Sequence, residues 1–273
     1  MNIRTPVPAT NEPLLLRADD RGVATLTLNR PQTRNLLTEA MLGALRETFT
    51  AIAADRKIRV VVLAAEGQIF CAGHDLREMT AHRGEPDGGR GYFKQLFDTC
   101  SAMMQQVVNL PQPVIAAVEG TATAAGCQLV AACDLVIASS TAKFGTSGIN
   151  VGLFCSTPMV AVSRKVSRKH AMELLLTGDL IPAQEAYRVG LVNRVVEPGH
   201  ALAEATQLAR KIAEKTPAAI RLGKQAFYRQ AEMGLADAYR LTADVMADNM
   251  MEPDTVEGIA AFFEKRKPNW DDC

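Results

Sequence analysis

Two short runs of small residues could bring backbone amides to a ligand oxygen. The first is Ala-Gly-His at 72–74, and the second is Ala-Ala-Gly at 124–126. Each run follows a strand-like segment and precedes a helix-like one, so the first helical amides have no acceptor within the helix. Small side chains also let a ligand approach the main chain closely. The two turns together predict a two-donor oxyanion site, although the same residues also suit plain packing of a helix on a sheet.

Few side chains near these turns could act as acids, bases or nucleophiles. His74 has an ordinary pKa near about 6.5 and could transfer a proton. Ser156 could hold a hydroxyl near an acyl carbon, but Ser-Thr-Pro at 156–158 is also typical of a helix start capped by serine or threonine. We interpret Ser156 or Thr157 as the cap; a serine nucleophile is weakly supported, because the sequence has no Gly-x-Ser-x-Gly elbow. Cys127 and Cys155 have no basic neighbour in the sequence and are interpreted as core thiols.

Other polar residues fit structural or solvated positions. The sequence has no His, Cys, Asp or Glu cluster with metal-ligand spacing, and it has neither a dinucleotide fingerprint nor a P-loop. We therefore predict no metal. Asp75 and Glu78 fit the first turn of a helix, where carboxylates interact favourably with the helix dipole. The three remaining histidines stand apart in polar surroundings and are expected to be solvated; they are His82, His170 and His200.

The segments that must position the turns alternate between strand and helix patterns. Apolar runs at 14–16 and 23–28 flank Asp-Asp-Arg-Gly at 19–22, which predicts a hairpin. Thr38 can cap a helix with apolar residues at three- and four-residue spacings. Short unbroken apolar runs favour strands buried on both faces of a mainly parallel sheet, and they lie at 60–65, 114–118 and 135–138.

Helical patterns occupy most of the remaining sequence. They lie at 91–108, at 124–133, and on a stripe formed by Leu202, Ala205, Ala209 and Ile212. No strand-like run follows residue 199. The chain is thus predicted to be one α/β unit with a flexible N-terminal arm at 1–12, a core at 13–198 and a helical section at 199–273.

Composition excludes several classes of function. The chain of 273 residues has 30 basic and 30 acidic residues, so no basic surface for nucleic acid is expected. Its six cysteines are scattered, which favours reduced thiols. The N-terminus lacks the apolar core of a signal peptide, and no run is long enough to span a membrane. We expect a cytoplasmic protein, or one of the mitochondrial matrix if the source is eukaryotic.

The order of motifs resembles the enoyl-CoA hydratase/isomerase (crotonase) superfamily over nearly the whole chain. The motifs include Leu-Asn-Arg-Pro at 28–31 with Asn35, Phe-Cys-Ala-Gly-His-Asp-Leu at 70–76, Pro-Val-Ile-Ala-Ala-Val-Glu-Gly at 113–120, Ala-Gly-Cys-Gln-Leu at 125–129, and Gly-Leu-Val-Asn at 190–193. Three segments are more narrowly similar to the enoyl-CoA hydratase domain-containing protein 3 branch, at 73–76, 125–130 and 150–158.

The resemblance implies a fold, a ligand and an assembly. The fold is the crotonase spiral of β-β-α units with a helical C-terminal section that mediates a homotrimer or hexamer. The apolar residues Phe262, Phe263 and Trp270 of that section are expected at the subunit interface. The ligand is a coenzyme A thioester that acts as substrate, with no permanently bound cofactor.

The family's site residues map onto particular positions of this chain. Its oxyanion donors are the backbone amides at His74 and Ala125. Arg77 matches a basic position near the nucleotide, and Phe262 and Lys265 match positions that reach a neighbouring subunit's adenine pocket. The remaining positions expected along coenzyme A are Arg30, Arg34, Ala72, Asp75 and Leu76.

The sequence departs from the family at the acid–base positions. The two glutamates that a hydratase needs fall at Gln128 and Gly148, and a third acid of the dienoyl isomerases falls at Ser156. An amide does not accept a proton near neutral pH, and glycine has no side chain. We therefore predict weak hydration of crotonyl-CoA, and expect the double change Gln128→Glu with Gly148→Glu to raise it unless Gly148 has a positive φ.

Three functions remain compatible with this combination of residues. The first is noncanonical acyl-CoA chemistry that uses the oxyanion hole alone, such as decarboxylation or thioester hydrolysis. The second is slow enoyl-CoA hydration with substitute groups. The third is a catalytically silent acyl-CoA-binding protein.

Overall fold

The computed structural model describes residues 12–270. Residues 1–11 of the predicted N-terminal arm and Cys273 lie outside the described residues. The strands are β1 (Leu15–Asp20), β2 (Val23–Leu28), β3 (Val60–Ala65), β4 (Ile69–Cys71), β5 (Val114–Val118), β6 (Thr121–Thr123), β7 (Leu135–Ser139), β8 (Lys143–Gly145), β9 (Ile181–Pro182) and β10 (Arg194–Val196).

Helices occupy most of the rest of the described chain. They are α1 (Glu39–Ala54), α2 (Leu76–Ala81), α3 (Arg90–Asn109), α4 (Ala125–Ala132), α5 (Ser156–Val162), α6 (Arg168–Thr177), α7 (Ala183–Arg188), α8 (Ala201–Ala213), α9 (Pro217–Gln230), α10 (Leu235–Met251) and α11 (Pro253–Glu264). None of the described helices is long and apolar enough to cross a membrane.

The strands form two sheets joined by a repeated unit. The larger sheet has the order β1-β2-β3-β5-β7-β10, and the smaller has the order β4-β6-β8-β9. Each pair β3-β4, β5-β6 and β7-β8 places its first strand in the larger sheet and its second in the smaller, and a helix follows. The pairing within each set is parallel. This repetition is the β-β-α spiral, and the predicted fold class is confirmed.

Residue type explains why β3 lies at the centre. Val61 and Leu63 pack in the main core, whereas Val60 and Val62 pack on the opposite face of the sheet. Side chains of a strand alternate between faces, so a strand buried on both faces needs an unbroken apolar run. The prediction from that run is confirmed.

Helix α8 covers this second face of the larger sheet. Ala205 and Ala209 are fully buried there, and Ile212 packs against them. The predicted stripe was wrong at its first residue, because Leu202 is 40% exposed and Ala201 is buried instead. An alanine face lets the helix approach the sheet closely.

The two local predictions near the N-terminus are also confirmed. Strands β1 and β2 pair in antiparallel register around the turn that contains Gly22. Thr38 caps α1, because its side-chain oxygen accepts a hydrogen bond of 3.1 Å from the amide of Met41.

From residue 201 onward the described chain contains helices as its only regular elements. A buried ion pair ties this section to the core: Lys224 Nζ of α9 lies 2.7 Å from Asp134 Oδ2. Asp134 also accepts hydrogen bonds from the Tyr228 hydroxyl at 2.9 Å and from the Val114 amide at 2.7 Å. Asp134 therefore links α9 to β5 and to the start of β7.

The outer surface of the helical section is strongly apolar. Phe262 is 78% exposed and Phe263 is 76% exposed. We expected Trp270 to share this surface, but it packs against its own chain. Its indole nitrogen donates to Glu214 O at 2.8 Å, and its ring packs against Gly258. Trp270 thus connects α11 to the end of α8.

Candidate active site

A buried asparagine shapes the loop that precedes the first turn. Asn35 is fully buried with φ 51°, and its Oδ1 accepts a hydrogen bond of 2.8 Å from the Arg30 amide. Its Nδ2 donates to the carbonyls of Glu66 and Ile69 at 2.9 and 2.8 Å. The loop is therefore fixed on the β3–β4 connection. This role was missed in the sequence because the two carbonyls lie more than thirty residues away along the chain.

The same loop holds the first small-residue turn. The Ala72 amide donates to Arg34 O at 3.1 Å, and the Leu37 amide donates to Gly73 O at 2.8 Å. Gly73 has φ 91°, a left-handed conformation that favours glycine. These bonds set the direction of the chain just before His74.

The second turn lies directly against the first. Ala124 has φ 50° and ψ −123°, and its amide donates to Gly145 O at 3.0 Å. A Cβ atom added at Gly73 would lie only 3.2 Å from the Ala125 nitrogen. A Cβ atom at Gly126 would lie 2.1 Å from Cys71 O, so a larger residue cannot fit. Small residues are thus required for the two turns to meet.

The amides of His74 and Ala125 are both unpaired within the described part of the chain. Across residues 12–270, neither nitrogen donates a hydrogen bond to a protein acceptor. Both residues line the same cavity. Ala125 is the first residue of α4, and His74 directly precedes Asp75, the N-cap of α2. Unpaired amides that face one cavity are suited to bind an anionic or polarised oxygen.

The cavity is of a size suited to a ligand, with a volume of about 670 Å³. Arg34 and Arg77 line it with exposed guanidinium groups. Its apolar lining includes Leu76, Leu153 and Phe154, which are 39–47% exposed. The arrangement suits a ligand with an anionic end and an apolar segment.

The side chain of His74 is held in one orientation. Its Nδ1 lies 3.1 Å from Leu37 O, and its ring meets Phe97 edge-on with centroids 5.6 Å apart. Burial lowers the pKa of His74, although the hydrogen bond to Leu37 acts in the opposite direction. The imidazole is therefore neutral near pH 7.

Gln128 lies behind the cavity surface rather than on it. It is 3% exposed, and its Oε1 has no hydrogen-bond partner in the described chain. Its amide donates to Ala124 O at 3.1 Å, which places it one helical turn after the second oxyanion turn. An unpaired buried amide oxygen is costly and suits a site that a ligand or water completes.

Gly148 is confined for a reason other than the one we expected. It lies in a 3₁₀ helix at Ser147–Val151 and does not have a positive φ. A Cβ atom there would lie 2.6 Å from Leu153 O and 2.7 Å from Cys155 Sγ. A glutamate at 148 therefore requires movement of the 153–155 segment. The expectation that the carboxylate pair can simply be restored is corrected on this ground.

The other candidate nucleophiles are not activated. Cys155, rather than Ser156, is the N-cap of α5, and no side chain caps this helix, so the predicted serine or threonine cap was wrong. Among residues 12–270, the Ser156 hydroxyl donates a hydrogen bond to Phe154 O alone, at 3.3 Å. Burial raises the pKa of Cys127 to about 12 and also raises the pKa of Cys155. All three groups are protonated at neutral pH.

Some of the positions predicted to contact coenzyme A line the cavity, and others do not. Those that line the cavity are Arg34, Ala72, Asp75, Leu76 and Arg77. Asp75 also caps α2, since its Oδ1 accepts a hydrogen bond of 2.8 Å from the Arg77 amide. Arg30 does not line the cavity, because its guanidinium donates to the Glu12 and Pro13 carbonyls. Phe262 and Lys265 belong to the α11 end and are also not part of this cavity.

Cavity residues that sequence reasoning missed include Phe97 and Ser147. Phe97 fitted an ordinary helical pattern, and Ser147 a loop, so neither gave a signal.

The remaining histidines are less isolated than expected. His82 stacks on Tyr92 with centroids 3.4 Å apart, and His170 Nδ1 lies 2.9 Å from the Ser167 hydroxyl. No group of side chains within residues 12–270 has the arrangement of a metal site.

Comparisons with known proteins agree on one family. Residues 18–273 match the family model for enoyl-CoA hydratase/isomerase. A solved enoyl-CoA hydratase of Mycobacterium smegmatis is 55% identical with a TM-score of 0.90, covering 95% of this chain and 99% of that one. Human enoyl-CoA hydratase domain-containing protein 3 is 44% identical with a TM-score of 0.89, covering 94% and 100%. The mitochondrial protein of the same name from Xenopus laevis is 44% identical, covering 94% of this chain and 86% of that protein.

Proposed function

The chain belongs to the enoyl-CoA hydratase/isomerase family, and we propose that it binds an acyl-CoA thioester and polarises the carbonyl with the amides of His74 and Ala125. The observation that carries this proposal is the pair of unpaired amides on two touching turns that line one cavity. Such donors stabilise the negative charge that develops on a thioester oxygen.

The remaining part of the cavity supports coenzyme A as the carrier. Arg34 and Arg77 supply guanidinium groups for phosphate oxygens. Leu153 and Phe154 supply apolar surface for the pantetheine arm or the acyl chain. No permanently bound cofactor is proposed, since the thioester itself is the substrate.

We infer that the reaction is one that uses the oxyanion hole without a pair of glutamates. Decarboxylation fits best: the bond from Cα to the carboxylate breaks, CO₂ leaves, and the electron pair passes to an enolate held by the two amides. Thioester hydrolysis is less well supported, because Ser156 has no basic partner among the described residues. An acyl-CoA with a carboxylate on Cα, of the malonyl type, is the corresponding substrate class.

Slow enoyl-CoA hydration is the second candidate. The Mycobacterium smegmatis relative, which is named an enoyl-CoA hydratase, favours it. In this chain the water would have to be activated without glutamates at 128 and 148. A silent acyl-CoA-binding protein is the third reading, and an absence of turnover with every bound thioester would favour it.

Calorimetry with butyryl-CoA and malonyl-CoA is expected to give a Kd of about 1 μM or tighter, because phosphate, pantetheine and carbonyl contacts act together. The double variant Arg34→Ala with Arg77→Ala should weaken binding about tenfold or more, since charge-assisted hydrogen bonds are lost. Arg46→Ala, an exposed position on α1 outside the cavity, serves as the matched control. Absence of heat and of any thermal shift with both thioesters would refute the proposed ligand.

We propose a homotrimer or a hexamer as the assembly. The support is the exposed apolar surface of the helical section, which includes Phe262, Phe263, Met251 and Leu235, each more than 75% exposed. Light scattering at micromolar protein should give a mass of three or six chains, and Phe262→Ser should shift it toward smaller species. A monomer mass for the unaltered protein would contradict this proposal and with it the adenine contact assigned to Phe262 and Lys265.

The five described cysteines are free and buried, which suits a reducing compartment. We propose the cytoplasm, or the mitochondrial matrix in a eukaryotic source.

A further inference from the structure

The imidazole of His74 has one nitrogen satisfied and one left over. Nδ1 lies 3.1 Å from Leu37 O. A carbonyl oxygen only accepts hydrogen bonds, so Nδ1 carries the proton of the neutral ring. Nε2 then carries a lone pair, and it is buried without any hydrogen-bond partner in the described chain. Most buried polar atoms in proteins have a partner, so this nitrogen requires an explanation.

The other ionisable groups that line the cavity do not suit proton transfer at neutral pH. The guanidinium groups of Arg34 and Arg77 have hydrogen-bond donors and no acceptor lone pair. Asp75 is engaged as the cap of α2. Burial raises the pKa of the Cys155 thiol, so it is neither a thiolate nor a useful base. His74 is the one lining group whose ordinary pKa lies near neutrality.

We propose that Nε2 of His74 exchanges the proton at the α-carbon of the bound acyl group. The inference rests on the proposed binding of acyl-CoA. In the forward step the Cα–H bond breaks, the proton passes to Nε2, and the electron pair passes to the enolate oxygen held by the amides of His74 and Ala125. In the reverse step the imidazolium returns a proton to Cα. The same return step completes a decarboxylation, once the ring has taken a proton from solvent.

The surroundings of the ring favour this role. Leu37 O fixes the tautomer and stabilises the imidazolium that forms, as an acceptor on Nδ1 does in other histidine bases. Phe97 packs edge-on against the ring and limits its rotation. Burial lowers the pKa of His74, so the ring is neutral and able to accept a proton at pH 7. His74 also supplies a backbone donor, so base and oxyanion hole are built on one residue.

The test is hydrogen–deuterium exchange at Cα of butyryl-CoA in D₂O, followed by mass spectrometry. The unaltered protein should incorporate deuterium at Cα. His74→Asn retains a side-chain N–H at the position of Nδ1 that can donate to Leu37 O, but it has no basic nitrogen. Exchange should fall at least about 10²-fold in this variant, whereas the Kd for butyryl-CoA should stay within about threefold. His200→Asn, at an exposed position outside the cavity, is the matched control and should exchange at the unaltered rate.

Two results would overturn the proposal while leaving acyl-CoA binding intact. They are unchanged exchange by His74→Asn, and binding of butyryl-CoA by the unaltered protein without any exchange. Absence of binding would instead refute the proposed function itself. If His74→Asn does not fold, ¹⁵N spectra of histidine-labelled unaltered protein decide the matter: Nε2 of His74 should be unprotonated and should shift on addition of butyryl-CoA. A protonated Nε2 would overturn the proposal.

Discussion

Lys224→Met is expected to lower the melting temperature by about 6 to 12 °C, which corresponds to about 3 kcal/mol or more of the free energy of unfolding. Lys224 Nζ is 2.7 Å from Asp134 Oδ2, and the lysine side chain is only 6% exposed. Methionine fills a similar volume but leaves the carboxylate without its ion-pair partner, while Lys165 still acts on it electrostatically from a greater distance. The loss should lie at the lower end of the range for broken buried ion pairs, because Tyr228 and Val114 still donate to Asp134.

The substitution should also remove hydrogen bonds to two neighbouring backbone carbonyls. Lys224 Nζ donates to Val107 O at 3.2 Å and to Gln112 O at 3.0 Å, so both carbonyls lose a partner. Burial lowers the pKa of Lys224 while Asp134 raises it, which shows that the ammonium depends on its partner. The position of α9 on the core therefore depends strongly on this ion pair.

Two matched variants distinguish this mechanism from a general effect of substitution. Lys211→Met, at an exposed position of α8, should change stability by less than about 0.5 kcal/mol. Lys224→Met with Asp134→Asn removes both charges and should recover part of the loss, since asparagine can still accept from the Val114 amide. A loss below about 1 kcal/mol for Lys224→Met alone would show that the ion pair does not fasten α9 to the core.

The elements of the fold could be predicted where the signal is local. The run at 60–65 predicted β3 because alternate residues must fill two faces, and Thr38 predicted the start of α1 because a cap acts within one turn. The small residues at 72–74 and 124–126 predicted two turns for the same reason. The contact between the two turns, where Gly126 lies against Cys71 O, could not be predicted from these local patterns. It follows from the family resemblance and from the fold.

Contacts between distant parts of the chain had no signal in the sequence. Arg30 bonds to the carbonyls of residues 12 and 13, seventeen or more positions away, and its contact with coenzyme A stays a prediction. Trp270 donates to Glu214 O, and its place at a subunit interface stays a prediction. Gly148 was explained by its own backbone angle, whereas Leu153 O and Cys155 Sγ restrict it. Sequence periodicity carries no information on such pairings.

The proposed lack of a catalytic carboxylate pair leads to the expectation with the largest effect on rate. The resemblance places the acid and base of the family's hydratases at Gln128 and Gly148, where this chain has an amide and no side chain. Each member of such a pair contributes about 10²–10⁴-fold, and the two contributions are not additive because both act in one reaction. The oxyanion donors should still polarise the thioester, where one such donor is worth about 3 to 4 kcal/mol.

Restoring the pair is no longer expected to raise the rate by itself. Gly148→Glu would place Cβ within 2.6 Å of Leu153 O, so the variant should lose stability before it gains activity. A carboxylate at 128 would be buried, where its pKa would rise. The unaltered protein is therefore the informative sample, with an authentic enoyl-CoA hydratase as the positive control.

The most direct test of an oxyanion site without an acid–base pair is the rate at which the protein hydrates crotonyl-CoA. The rate is measured on a preparation that calorimetry has shown to bind this thioester. We expect micromolar binding together with a turnover at least about 10²-fold below the ten or so per second of an ordinary enzyme. Turnover of tens per second would mean that other residues perform both carboxylate roles, and it would contradict the assignment drawn from Gln128 and Gly148.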